Sequence, residues 1–243
     1  MRADDPAVYG APGGPRGGTL RPVPPTGIPA QVLAAAADRR SGATPIALAA
    51  ADGLLAVADR PGLLAEAVRV LVAGQPAMAP VWHLARAARA PDPRVALTAL
   101  RAALRAEARA AVAVARAWLD RAGGPLATVS SSSLVEQALA GRRLAGPGEP
   151  AVAGIIGADA VGPSALVNAA GSAALAARTP TLVVAVAAKL VPAAAFERLL
   201  APGFERVPLE LVAAVVVGAE LLDPAEAGRR AAALGAEPLS PPG

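Results

Sequence analysis

Three short stretches near the middle of the chain restrict its fold more than anything else in it. Ile155-Ile156-Gly157-Ala158-Asp159-Ala160-Val161 is followed by Asn168-Ala169-Ala170-Gly171-Ser172 and then by the apolar run Thr181 to Ala187. In order they read as strand, turn, helix start, helix, strand. Strands joined through helices pair in parallel, so the pattern demands a parallel sheet, and such sheets bind small ligands beyond the carboxyl ends of their strands. Asp159 falls at that end, with a predicted helix start at Asn168 close behind it.

The flanking sequence extends the same alternation. Pro125 to Ser130 reads as a short strand, Ser133 to Leu139 as a helix, Val152 to Ala158 as a strand and Asn168 to Ala177 as a helix. Thr181 to Ala187 is a strand, Ala193 to Leu200 a short helix, Val212 to Val217 a strand, and Pro224 to Leu234 a closing helix. Upstream the apolar period is helical: Gln31 to Arg39, Pro45 to Asp59, Pro61 to Val72, Ala77 to Arg89, and a long helix from Arg94 to Arg121 ended by Gly123-Gly124. Pro45 and Pro61 are read as first helical residues, where a missing N–H costs nothing. The predicted class is α/β: a helical N-terminal lobe over 30–122 and a truncated Rossmann-like parallel sheet flanked by helices over 123–237. Residues 1–29, rich in Gly and Pro, and 238–243 are expected to be disordered tails.

Composition excludes several functions. The chain of 243 residues has no cysteine and one histidine, which removes disulfides, thiolate metal sites and thiol catalysis, so neither a metal nor a cofactor is expected. Its hydrophobic fraction of 54% is largely alanine, which neither inserts in membranes strongly nor fills a core with bulk. No membrane segment and no export signal are read, so the cytoplasm is the expected compartment. The net charge of +4 comes from arginines interspersed with acids, and aromatics amount to 2%, a poor platform for nucleic acid. Direct nucleic-acid binding is not expected. No G-x-G-x-x-G opens a helix after a strand, which argues against a dinucleotide dehydrogenase.

The candidate site residues each carry an ordinary structural reading beside a chemical one. Ser130, Ser131, Ser132 and Ser133 leave a strand and open a helix. Ser133 and Glu136 have capping-box spacing, and the free N–H groups and hydroxyls of the same turn suit an anion. A serine nucleophile is disfavoured, because His83 lies in the helical lobe as a packing residue and no G-x-S-x-G surrounds the serines. Asp159 either caps a turn or, partly desolvated, handles protons. Asn168 is an N-cap or a ligand, and Gly171 allows close backbone approach.

Thr128-Val129-Ser130-Ser131-Ser132-Ser133, Gly157-Ala158-Asp159 and Asn168-Ala169-Ala170-Gly171-Ser172 with its Ala-rich sequel resemble, in order, signatures of the translation initiation factor 2B alpha/beta/delta-like family. That family includes isomerases of methylthioribose-1-phosphate and ribose-1,5-bisphosphate. There the order is T-H-C/S, G-A-D and N-K-x-G-T. Ser41-Gly42-Ala43-Thr44-Pro45-Ile46 is similar to the isomerases' R-G-A-P-A-I loop, and Gln75-Pro76-Ala77 to their R-P-T. The resemblance implies a site built from Asp159 and Ser130 as the proton-handling positions, with Ser131, Ser132, Ser133, Asn168, Gly171, Ser172, Gly42 and Ala43 holding a phosphorylated sugar or nucleotide. It also implies a homodimer or hetero-oligomer formed through the C-terminal domain.

Departures from the family qualify that picture. The cysteine of its turn is Ser130, the lysine of N-K-x-G-T is Ala169, and the arginines of R-G-A-P and R-P-T are Ser41 and Gln75. Between Glu136 and Ala151 a βαβ-length segment with an E-S-R-P arginine is replaced by a Gly/Pro link, Gly141 to Pro150. The resemblance so amended implies a non-catalytic regulatory or ligand-binding relative whose substrate cage has lost most of its cations. The alternative is a working aldose-ketose isomerase.

Overall fold

The computed structural model describes residues 27–130 and 132–235. Ser131 and most of both expected tails, residues 1–26 and 236–243, lie outside the described residues. Five helices come first: α1 Ala30–Ala37, α2 Ala43–Leu55, α3 Pro61–Gly74, α4 Ala79–Ala87 and α5 Pro93–Ala122. Residues 126–233 then alternate short strands and helices: β1 Leu126–Ala127, α6 Ser133–Leu139, β2 Ala153–Ile156, β3 Ala160–Val161, β4 Ala165–Ala169, α7 Ser172–Ala176, β5 Thr181–Ala185, α8 Ala193–Phe196, β6 Phe204–Pro208, β7 Ala214–Val217, β8 Glu220–Leu222 and α9 Pro224–Ala233.

The ends of α5 explain its length. The Asp92 side chain accepts a hydrogen bond from Val95 N at 3.0 Å, Pro93 takes the first position, and Gly123 closes the helix with φ of 60°. Over its 30 residues, about 45 Å at 1.5 Å per residue, it buries Leu97, Leu104, Ala111, Ala115 and Leu119 on one stripe. These residues share a core with Leu182, Val184 and Val216 of the sheet, so one continuous apolar cluster joins the helices to the strands. Alanine and glycine let the helices approach closely. A Cβ on Gly53 of α2 would lie 2.7 Å from Val32 Cγ2 of α1.

The main sheet has the order β1-β2-β5-β7-β8. Its first four strands are parallel and β8 is antiparallel to β7. Ile155, Leu182, Val183, Val184, Val215 and Val216 are fully buried, as a sheet covered on both faces requires. The Gly141 to Pro150 link runs along the outer side of β1, where Leu126 N donates to Arg143 O at 3.0 Å and Ala145 N to Leu126 O at 2.9 Å.

The structure corrects several expectations. Asn168 does not start a helix: it sits in β4, opposite Glu205 of β6, in a second, antiparallel sheet of order β3-β4-β6. The turn Gly162-Pro163-Ser164 folds β3 onto β4, and the alanines around them, helix formers in isolation, adopt strands because both neighbours supply a ladder. α7 begins only at Ser172, after Gly171 at φ of 95°. Residues 204–208 and 220–222, to which the sequence reading assigns no element, are strands. Pro45 is the third residue of α2, not the first, and remains compatible because the opening N–H groups of a helix have no partner within it. The capping box is not formed: Ser132 is the N-cap of α6 and makes no side-chain cap bond.

Candidate functional site

The carboxyl end of the parallel sheet faces the loop before α2 across a cavity of about 460 Å³. β2 delivers Asp159 to it, the turn after β5 delivers Lys189, the β1–α6 turn delivers Ser130 and Ser132, and the α1–α2 loop delivers Arg39, Arg40, Gly42 and Ala43. Asn168 also lines it from β4.

Asp159 is anchored by its backbone. Its N–H donates to Val167 O at 2.8 Å and its carbonyl accepts from Ala79 N, the first residue of α4, at 3.0 Å. Burial pushes its carboxyl up from the usual carboxylate range, an effect the nearby Lys189 ammonium partly opposes. Lys189 is 2% exposed, and burial in turn lowers its amine, with Asp159 pulling the other way. The lysine turn is held on two sides. Ala187 N donates to Glu107 of α5 at 2.6 Å, and His83 Nε2 of α4 lies 2.8 Å from Leu190 O. A carbonyl can only accept, so Nε2 carries the proton. Burial lowers His83 further, which keeps it a neutral packing residue, as its place among helices suggests.

Ser130 Oγ accepts two backbone hydrogen bonds, from Ser132 N and Gly157 N, both at 3.2 Å. Gly157 must lack a side chain here, since a Cβ would come within 2.6 Å of Ser132 Cβ. Gly42, the N-cap of α2, abuts the start of α6, so the two helix openings meet at the cavity wall. The preceding turn is tied by Asp38, whose carboxylate accepts from Arg40 N at 2.8 Å and Ser41 N at 2.9 Å. These bonds lower its pKa to about 2. Gln75, itself buried, donates from Nε2 to Ala35 O at 2.8 Å and Asp38 O at 2.6 Å. Gln75→Ala is expected to cost about 2 kcal/mol, because it leaves those carbonyls unpaired. A urea midpoint unchanged from the parent would remove Gln75 from this role.

Of the residues singled out from sequence, the cavity therefore gathers Asp159, Ser130, Ser132, Asn168, Gly42 and Ala43. Ser133 opens α6 behind that wall. Ser172 and Gly171 do not line the cavity. Asn168 Nδ2 donates to Ser172 Oγ at 2.8 Å, and that hydroxyl donates to Ala169 O at 2.7 Å, so Ser172 orients Asn168. Ser131 lies outside the described residues. Sequence reasoning missed Lys189, Arg39 and Arg40. The motif positions themselves carry no cation, and these three residues line the cavity from positions outside the motifs. The signal for Lys189 was present: it is the chain's only lysine, two residues past the apolar run. Among the described residues no group of His, Cys, Asp and Glu could hold a metal ion, and no helix is long and apolar enough to cross a membrane.

Helices packed on a mostly parallel sheet, with a cavity at the strands' carboxyl ends, place the chain among the layered α/β folds. Within that class it has the fold of the eIF-2B subunits. The translation initiation factor eIF-2B of Pyrococcus horikoshii OT3 superposes with a TM-score of 0.63 at 18% identity, over 81% of this chain and 96% of that one. The tetrameric eIF2B-beta2-delta2 complex of C. thermophilum matches with a TM-score of 0.59 at 14% identity, over 82% and 91%. The 5-methylthioribose 1-phosphate isomerase of P. horikoshii OT3 matches with 0.50 at 13%, over 83% and 86%. No model of a protein family matches the chain, and no curated protein does.

Proposed function

We propose that the chain is an eIF-2B-like protein whose cavity binds a phosphorylated small molecule, a sugar phosphate or a nucleotide, without isomerase turnover. The observation that carries this reading is the environment of Ser130. Its oxygen accepts two backbone N–H groups beside the buried Asp159, which fix the hydroxyl at the cavity wall with its own proton as the group it can donate to a ligand oxygen. A hydroxyl does not ionise near neutral pH, so the position binds and does not exchange protons as a thiolate of pKa about 8.5 can. The opening of the 13-residue α2 and the positive charge of Arg39 and Arg40, which line the cavity, favour a phosphoryl group there, with Arg39 Nη1 itself held by Ala36 O and Asp38 O.

Ribose 5-phosphate and nucleoside monophosphates are expected to raise the melting temperature in a concentration-dependent way. The double variant Arg39→Ala/Arg40→Ala should lose most of that shift. Turnover of methylthioribose-1-phosphate or ribose-1,5-bisphosphate that disappears in Asp159→Asn would overturn the non-catalytic part. The opposing shifts of Asp159 and Lys189 favour that second reading, an aldose-ketose isomerase, because they bring an acid and a base toward matched affinities.

The sequence-based division into a helical domain over 30–122 and a sheet domain over 123–237 belongs to this proposal. So do a cytoplasmic location and assembly through the second domain as a homodimer or hetero-oligomer. Exposed Val129, Leu144 and Val152 in that half support assembly, as does the tetrameric C. thermophilum complex of the same fold. Light scattering on the purified protein tests it; a monomer at micromolar concentration would count against it.

A further inference from the structure

Lys189 differs from every other cation of the chain in two independent ways. Of 23 basic residues it is the single lysine. It is also the one charged residue among the described residues that is fully buried, at 2% exposure, and it faces the cavity beside Asp159. The two kinds of cation differ chemically. A guanidinium stays protonated at any pH a protein meets and grips anions with a planar fork, whereas an amine can release its proton and then carries a nucleophilic lone pair. Among the described residues the salt bridges are made by arginine, as in Arg142 with Asp120, Arg206 with Glu197 and Arg230 with Glu220. Of the three cations that line the cavity, Arg39, Arg40 and Lys189, the buried one is the cation that can act as a nucleophile.

We propose that Lys189 Nζ attacks the carbonyl carbon of a phosphorylated aldehyde or ketone held in the cavity and forms an imine, with Asp159 as its proton partner. The inference rests on the reading of the cavity as a phosphoryl-ligand site and names the ligand's second functional group. The Nζ lone pair bonds to the carbonyl carbon while the C=O π pair moves to oxygen. Asp159 relays one proton from nitrogen to that oxygen, giving the carbinolamine. It then protonates the hydroxyl, which leaves as water, so that an iminium remains opposite the Asp159 carboxylate. Amine and carbonyl are converted to imine and water, and no oxidant or reductant is consumed.

Two features suit Lys189 to this step. The backbone is tied just before and just after it by the Ala187–Glu107 bond and the His83–Leu190 contact, which fix the turn from which the side chain enters the cavity lining. The cavity of about 460 Å³ admits a small sugar phosphate. Burial lowers the amine from its ordinary 10.5, raising the fraction with a free lone pair at neutral pH.

The test uses the whole chain, ribose 5-phosphate or glyceraldehyde 3-phosphate, and sodium cyanoborohydride to trap any imine as a stable amine. Peptide mapping then compares Lys189 with the N-terminal amine, the other primary amine present. The expected result is an adduct at Lys189, heavier by the sugar phosphate less one oxygen, formed at least tenfold faster than at the N-terminus and suppressed there alone by excess inorganic phosphate. Asp159→Asn should slow the adduct at least tenfold; an unchanged rate removes Asp159 from the step. If ribose 5-phosphate raises the melting temperature yet only the N-terminus is labelled, the imine is overturned while the binding site stands. Neither a thermal shift nor a Lys189 adduct overturns both.

Discussion

Asp159→Asn and Lys189→Met are each expected to destabilise the protein by on the order of 3 kcal/mol at pH 7, and the double variant Asp159→Asn/Lys189→Met by clearly less than their sum. Each single change leaves a buried ionisable group without its counter-charge, whereas the double change leaves none. The pH dependences should run in opposite directions. In Asp159→Asn the buried Lys189 keeps a pKa below 10.5, so the unfolded chain binds more protons between the two values and stability rises with pH across that window. In Lys189→Met the Asp159 carboxyl keeps a raised pKa. Its favourable contribution is then fully present below pH 3.8 and is lost as pH rises through the folded value. Urea titrations at several pH values measure both slopes. Single variants within 0.5 kcal/mol of the parent, with parallel pH profiles, would show that the two groups are independently solvated.

Gly157→Ala should combine a structural loss with a functional one. The added Cβ would meet Ser132 Cβ at 2.6 Å and Ser130 Oγ at 3.1 Å, and neither atom is the end of a long side chain that can swing aside. The strand end or the start of α6 must move, at about 2–3 kcal/mol for overpacking a tight site. Moving either lengthens the two 3.2 Å bonds to Ser130, so the thermal shift from sugar phosphates should fall with the stability. Gly62→Ala, where nothing lies within 4 Å of the added methyl, is the matched control and should be neutral or slightly stabilising. Equal behaviour of the two variants would rule out close packing at Gly157.

Much of the architecture was legible in the residues. α6 is found where it was read, over Ser133–Leu139, and α5 and α9 begin within one residue of the expected start, because Pro93 and Pro224 each follow an aspartate N-cap. The parallel strands β2, β5 and β7 announce themselves as short Val/Ile/Leu runs. The antiparallel sheet was hidden because its alanines favour helices locally and because β6, Phe204 to Pro208, lies far along the chain from β4. That same ladder places Asn168 in a strand. The site was half legible: motif positions located Asp159, Ser130 and Asn168, while Arg39, Arg40 and Lys189 arrive from segments with no motif of their own. The adjacency of Lys189 to Asp159 depends on β5 lying beside β2, a pairing visible only once the sheet is assembled.

The short link beside β1 has a bearing on how copies of the chain meet. Leu126 has both of its outward backbone groups occupied by that link, and the far border is the three-residue β8, where Glu220 pairs with Arg230. Neither margin offers a long row of free amide groups for an incoming strand. Among the described residues, growth of the five-stranded sheet from one molecule into the next is therefore disfavoured at both sides, which leaves side-chain surfaces of helices and loops as the places where copies could meet along it.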